Sequence, residues 1–251
     1  MEPIFEKEYT LTDMQTDAFG RAKPSALLSF AQDIAGEHAA SLSDNWEQLQ
    51  EKRLFWAVTR HYLEVFSLPK VGQTIRLKTW PMVTTRVAYP RAVEGYSVDG
   101  EKLFRMVSLW VLMDTEKRSL VLPGRGGLTI HGCNRGCEAP IPGSLTPGQY
   151  ENSTAVTVRY SELDRNGHMN NTRYLDWLMD LLPSNFHGSH EIKDFTLCYM
   201  NEALETQTLD LNWELDETGA LQVDIHREKG DNREDFDRIF AARIEFDNSI
   251  L

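Results

Sequence analysis

The chain has 251 residues, of which 41% are hydrophobic and 25% charged, and its formal net charge is -12. Such a chain can bury a sizeable core as one large or two small domains, and its acidic balance argues against nucleic acid as a bulk partner. No apolar run approaches the roughly 18 residues needed to span a bilayer, the start Met1-Glu2-Pro3-Ile4-Phe5-Glu6-Lys7 has neither an apolar signal core nor transit-peptide character, and a cytoplasmic location without a membrane partner is expected.

In chain order, a strand is predicted over 5–12, then a polar loop with Asp17-Ala18-Phe19-Gly20-Arg21, then a helix over 24–40. Phe55 to Tyr62 and Thr74 to Trp80 alternate apolar and polar side chains, the period of a half-buried strand. Val98-Asp99-Gly100 marks a hairpin turn, and Leu103 to Met113 is a nearly continuous apolar run that reads as a central strand. Residues 123–152, rich in Gly and Pro, read as a linker. Two of the three cysteines, Cys133 and Cys137, lie there, and Cys198 lies beyond. Three cysteines make no disulfide framework, and Cys-x3-Cys without a second pair is a poor zinc site. Ordinary thiols are expected, with no metal and no cofactor.

The pattern then begins again. A strand over 153–160 leads through a polar loop to a helix over 171–182, stopped by Pro183. Strands follow at Phe195–Tyr199, Thr208–Trp213, Leu221–His226 and Phe240–Phe246, with a hairpin turn at Asp216–Gly219. The second loop echoes the first: Asp17-Ala-Phe-Gly20-Arg21 meets Asp164-Arg-Asn-Gly167-His168 at a shift of 147. Gln73-Thr74-Ile75 meets Gln207-Thr208-Leu209 at 134, and Phe104-Arg105 meets Asp237-Arg238 at 133. The constant order of these echoes implies an internal duplication. One early helix followed by an antiparallel meander, twice over, implies an α+β fold with a sheet wrapped around a helix in each half. The six tryptophans at 46, 56, 80, 110, 177 and 213 read as core or tunnel-wall residues.

Chemistry concentrates in Asp164-Arg165-Asn166-Gly167-His168-Met169-Asn170-Asn171. Asp164, Asn166 and His168 share one face if the backbone there is extended. Asn170, Asn171 and Thr172 offer caps for the following helix, whose N-terminus favours developing negative charge. Taken alone, the stretch reads as a solvated turn before an amphipathic helix, since Asn-Gly is a common turn dipeptide. A calcium loop fails, because its sixth position is Met169 and its twelfth is Leu175. The duplication gives the stretch weight: at the equivalent places the first half has Phe19 for Asn166, Arg21 for His168 and Leu68 for Glu202. Only Asp17 persists.

With Phe55-Trp56-Ala-Val-Thr-Arg60, Gly72 to Pro81, Ser108-Leu-Trp110 to Asp114 and Arg118 to Pro123 in the first half, and Asp164-x-Asn166-x-His168-x-Asn170-Asn171-x-x-Tyr174-x-x-Trp177 and Tyr199-Met200-Asn201-Glu202 in the second, the chain resembles the acyl-acyl-carrier-protein (acyl-ACP) thioesterases over nearly its whole length. The resemblance implies two tandem hot-dog folds: residues 1–122 shape the acyl pocket and 153–251 carry catalysis. It implies hydrolysis of fatty acyl-ACP to free fatty acid and holo-ACP, with Asp164, Asn166, His168 and Glu202 as the catalytic set. Family members often carry a cysteine directly after that glutamate; here it is Ala203, which disfavours a cysteine nucleophile.

On this reading Glu202 and His168 activate a water, Asn166 holds the thioester carbonyl, Asp164 orients its neighbours, and backbone N–H groups at the start of the 171–182 helix receive the oxyanion. Direct attack by Glu202 through an anhydride is the competing route. Acidic carrier protein as partner calls for a basic patch, with Lys52, Arg53, Arg60, Lys70, Arg165 and Arg173 as candidates. Rivals are an acyl-CoA thioesterase, a hydratase on the same double fold, and a non-enzymatic acyl-binding module. Either a monomer or a homodimer is compatible with an internal pseudo-dimer.

Overall fold

A computed structural model describes residues 4–42, 46–127, 135–229 and 232–247. The chain forms two compact units, Met1–Pro142 and Gly143–Leu251. In the first, β1 (Phe5–Thr10), α1 (Pro24–Ser41), α2 (Trp46–Glu51), β2 (Leu54–Val65), β3 (Thr74–Pro81), β4 (Tyr89–Ser97), β5 (Lys102–Asp114) and the short β6 (Leu120–Val121) follow in order. In the second, β7 (Asn152–Thr157), α3 (Arg173–Asp180), α4 (Ser184–Ser189), β8 (Glu191–Tyr199), β9 (Thr208–Leu215), β10 (Leu221–Lys229) and β11 (Asn232–Asp247) repeat the plan.

Strand order is β1-β3-β4-β5-β2 in the first unit, with β6 on β5, and β7-β9-β10-β11-β8 in the second. Every pairing within each unit is antiparallel. The identical topology bears out two hot-dog folds in tandem. Short helices α2 and α4, and strand β4 with its mixed burial, carried no clear periodicity in the sequence.

Each unit has its own core. Pro24 opens α1 at its first turn, where no N–H is needed, and Leu27, Leu28, Ala31, Ile34 and Ala35 bury one face. Trp80 and Phe104 in the first unit, and Phe195 and Phe240 in the second, are fully buried; each such side chain contributes roughly 1.5–3 kcal/mol. Phe104 fits only because residue 95 is Gly: a Cβ there would lie 2.2 Å from its ring.

The register corrects one part of the sequence alignment. Leu103 C=O accepts from Phe66 and Ser67 N–H, as Ile239 C=O accepts from Met200 and Asn201 N–H. Val65 faces Phe104 as Tyr199 faces Phe240. The equivalence along β5 and β11 is therefore a shift of 136, and Phe104 corresponds to Phe240 instead of Asp237. Side-chain similarity at 133 was coincidental, because hydrogen-bond pairing sets register.

Residues 135–150 are anchored at both ends despite their linker-like composition. Gly136 C=O accepts from Trp80 Nε1 at 3.1 Å, and Glu138 takes Arg105 at 2.8 Å in the first unit. In the second, Asp224 accepts from Gly148 N–H at 3.2 Å and Tyr150 OH at 3.3 Å, and Arg238 Nη1 donates to Leu145 C=O at 2.9 Å. Cys137 is half-buried, and burial pushes its thiol up. Cys133 and the side chain of Trp46 lie outside the described residues.

Candidate active site

The predicted polar triplet is a turn and not an extended run. Asp164 N–H donates to His168 C=O at 2.8 Å and Gly167 N–H to Asp164 C=O at 3.0 Å, with Gly167 at φ 79°, a conformation that glycine adopts freely. Asp164 Oδ1 accepts from the backbone N–H of Asn166 (2.7 Å) and of His168 (3.3 Å), while Oδ2 accepts from Asn166 Nδ2 at 3.2 Å. Asp164 thus fixes Asn166 by side chain and backbone, and His168 by backbone. This is an Asx turn, which Asp forms readily. The first unit keeps the same turn: Asp17 Oδ1 accepts from Phe19 and Arg21 N–H, both at 2.9 Å, and Gly20 sits at φ 73°.

Two elements hold the turn. Glu162, in a 3-10 turn at Tyr160–Glu162, accepts from Trp177 Nε1 of α3 at 2.6 Å. Its carbonyl accepts from Asn170 N–H. Asn170 Oδ1 then takes Thr172 N–H at 3.0 Å and Thr172 Oγ1 at 2.9 Å, and Asn170 C=O takes Arg173 N–H. Helix α3 therefore begins at Arg173, two residues later than expected, and ends at Asp180 before Pro183. The N–H groups of Thr172 and Arg173, expected to receive an oxyanion, are already spent on Asn170.

Glu202 comes from the turn after β8. Met169 N–H donates to Ala203 C=O at 2.8 Å, and His168 forms an isolated bridge with Leu204, so two segments distant in sequence lie side by side. His168 Nδ1 is 3.4 Å from Glu202 Oε1, with side-chain exposures of 23% and 41%. The pair is open enough for water to reach. The equivalent bridge in the first unit joins Arg21 to Lys70, but Arg21 closes on Asp17 in a partly buried ion pair at 2.9 Å and Leu68 stands for Glu202. The polar constellation is complete in the second unit only.

Behind the site, Tyr174 stacks on Phe240 at 4.5 Å and meets Tyr199 edge-on. Tyr199 OH donates to Asn171 C=O at 2.9 Å. Burial pushes both phenols up, so they stay neutral. Sequence reasoning missed Arg227 on β10, whose Nη1 donates to Glu202 C=O at 3.2 Å and Gln207 Oε1 at 3.1 Å.

The first unit holds a cavity of about 190 Å³ between α1 and the sheet, lined by Ala35, Gly36, Ala39, Trp56, Tyr89 and Trp110 among others. Small residues at 35, 36 and 39 on one helix face open this space, and a Cβ on Gly36 would meet nothing within 4 Å. In the first unit, the candidate basic residues are spread along β2. Lys52 and Arg53 precede β2 and Lys70 follows it, across a twelve-residue strand of roughly 40 Å. Arg53 pairs with Glu116. Arg60 lies within β2; in the second unit Arg165 lies in the site turn and Arg173 opens α3, both exposed, with Arg173 paired to Asp176 at 3.1 Å.

The model of the acyl-ACP thioesterase N-terminal domain matches residues 2–122, and that of the C-terminal domain matches 146–246. Oleoyl-acyl carrier protein thioesterase 1 of Arabidopsis thaliana is 23% identical over 226 residues, covering 82% of this chain and 62% of that protein. A palmitoyl-acyl carrier protein thioesterase of Gossypium hirsutum is 27% identical over 217 residues, covering 79% and 52%. The chain thus spans about three fifths or less of the length of these chloroplastic proteins. Among solved structures, an acyl-ACP thioesterase from Bacteroides thetaiotaomicron has the same fold at a TM-score of 0.88 and 21% identity, covering 98% of each chain. A 12:0-ACP thioesterase from Umbellularia californica follows at 0.80 and 22%, again covering 98% of each. With both halves matched in order, the chain belongs to the acyl-ACP thioesterase family.

Proposed function

We propose that this chain hydrolyses the thioester of fatty acyl-ACP, releasing free fatty acid and holo-ACP. The observation that carries the reading is the His168–Glu202 pair at 3.4 Å, beside an Asn166 fixed by Asp164, in a family member whose other half has lost all but the aspartate. Glu202 accepts a proton from a water, and the resulting hydroxide attacks the thioester carbonyl. With hydrogen on Nδ1, His168 donates to Glu202 Oε1 and holds the carboxylate in place. Asn166 Nδ2 has two hydrogens; one goes to Asp164 and the second suits the carbonyl oxygen as it gains charge. The tetrahedral intermediate collapses by breaking the C–S bond, and the proton held by Glu202 passes to the leaving thiolate. The exposed glutamate gains its dry surroundings when the acyl chain covers it, which favours substrate over bulk hydrolysis.

The cavity against α1 of the first unit suits a hydrocarbon chain by its apolar walls and small helix residues. Arg165 and Arg173, exposed in and just after the site turn, are the carrier-protein contacts this reading favours, out of the six basic residues considered. The test is fatty acid release from a chain-length series of acyl-ACP, run beside the same acyl groups on CoA. Preference for the carrier-linked series is expected, with Glu202→Gln and His168→Ala each lowering kcat by roughly 10²–10⁴. Preference for CoA would move the activity to acyl-CoA. Near-wild-type turnover in both variants would overturn the site.

A further inference from the structure

We infer that Arg227 is a positioning residue for Glu202, an inference that rests on the hydrolase reading above. Its guanidinium ties three groups together: Nη1 donates to Glu202 C=O at 3.2 Å and to Gln207 Oε1 at 3.1 Å, and Nη2 donates to Asp237 at 2.7 Å. A planar fork with five donors can hold such a set in one geometry, which a lysine cannot.

The duplication supplies the control. Gln207 Oε1 also accepts from Leu204 N–H at 2.9 Å, and in the first unit Gln73 Oε1 accepts from Lys70 N–H at 3.0 Å. The glutamine therefore serves the turn in both units. Gly95 faces Phe104 and Tyr96 faces Lys102 as Ile225 faces Phe240 and His226 faces Arg238, so the next residue of β4, Ser97, is the counterpart of Arg227. Ser97 instead closes a hairpin, its Oγ accepting from Glu101 N–H. The arginine is present in the unit that has His168 and Glu202, and its position holds serine in the unit that lost them.

The turn also needs holding more in the second unit. Thr206 sits at φ 68°, where its counterpart Gly72 sits at φ 77°. That region suits glycine and disfavours a β-branched residue. Thr206 N–H bonds Val158 C=O as Gly72 N–H bonds Leu11 C=O, so the path is common and the strain belongs to the second unit. Arg227 clamps the strained turn at the residue whose carboxylate faces His168.

The experiment compares steady-state hydrolysis of acyl-ACP by the full chain, wild type, Arg227→Met, Arg227→Lys and Glu202→Gln, each well below its melting temperature. For Arg227→Met, kcat falls on the order of 10–100-fold, the scale of a small misplacement of a reacting group, while KM stays within about twofold, the mark of an interaction used in the transition state alone. Arg227→Lys restores part of kcat. A kcat within twofold of wild type for Arg227→Met, or a loss that tracks only the unfolded fraction, would overturn the inference while leaving Glu202→Gln inactive. Full turnover by Glu202→Gln would instead overturn the parent reading, whatever Arg227→Met does.

Discussion

At the scale of single residues, Asp164 divides two jobs between its two carboxylate oxygens. One oxygen caps backbone N–H groups and the other holds the Asn166 side chain. Asp164→Asn keeps an acceptor for the backbone but sets an amide donor against Asn166 Nδ2. We expect the melting temperature to stay near wild type and kcat to fall about 10-fold, with an effect of one hydrogen bond to a charged group; a combined thermal and kinetic assay checks both. The turn itself was legible in the sequence, because turn-forming chemistry is local; its reading as a site came from the duplication and the family resemblance. The spacing-two argument for the convergence of its residues was not the operative one, since Gly167 folds the backbone back on itself.

At the scale of elements, strand pairing decides which polar groups enter the core. His61 on β2 stands directly opposite Ser108 on β5, and its Nδ1 lies 2.9 Å from Ser108 Oγ, both residues buried. Burial pushes the imidazole down to about 3. An unfolded histidine titrates near 6.5, so below that pH the unfolded chain binds a proton that the native core refuses. Stability from this group is complete above pH 6.5 and is lost as pH falls toward 3, by about 2 kcal/mol at pH 5. His61→Asn is expected to be less stable at pH 7 but to show a flatter dependence of unfolding free energy between pH 6.5 and 4, read by urea titration at each pH. Sequence alternation marked β2 as a strand. The partner of His61 was invisible, because it depends on a pairing some fifty residues away.

At the scale of the whole molecule, the repeat explains how the connecting segment is held. Each unit places a buried acid on its fourth strand against a base on its fifth: Glu94 with Lys102 at 3.0 Å, and Asp224 with Arg238. Each acid also faces the connector, through Arg135 at 3.8 Å in the first unit and through Gly148 and Tyr150 in the second. Asp224 is fully buried, so Asp224→Ala leaves Arg238 uncompensated and costs about 3–5 kcal/mol. Urea denaturation should show that loss, and limited proteolysis should cut within 143–150 faster than in wild type. Composition alone marked this stretch as a linker, and only the folded chain shows its ends gripped.

By itself the sequence determined the doubling, the class of fold, the strands with clean alternation and the residue types of the site, including their loss from the first half. The strands rest on local periodicity, the doubling on the constant order of echoes between the two halves, and the site residues on that doubling together with the family resemblance. The tertiary structure decided the shift of 136 between β5 and β11, the approach of His168 to Glu202, the clamp by Arg227 and the anchoring of the connector. Each of these depends on hydrogen-bond register and packing between segments far apart in sequence, and no short window of residues encodes which distant partner a strand or a turn will meet.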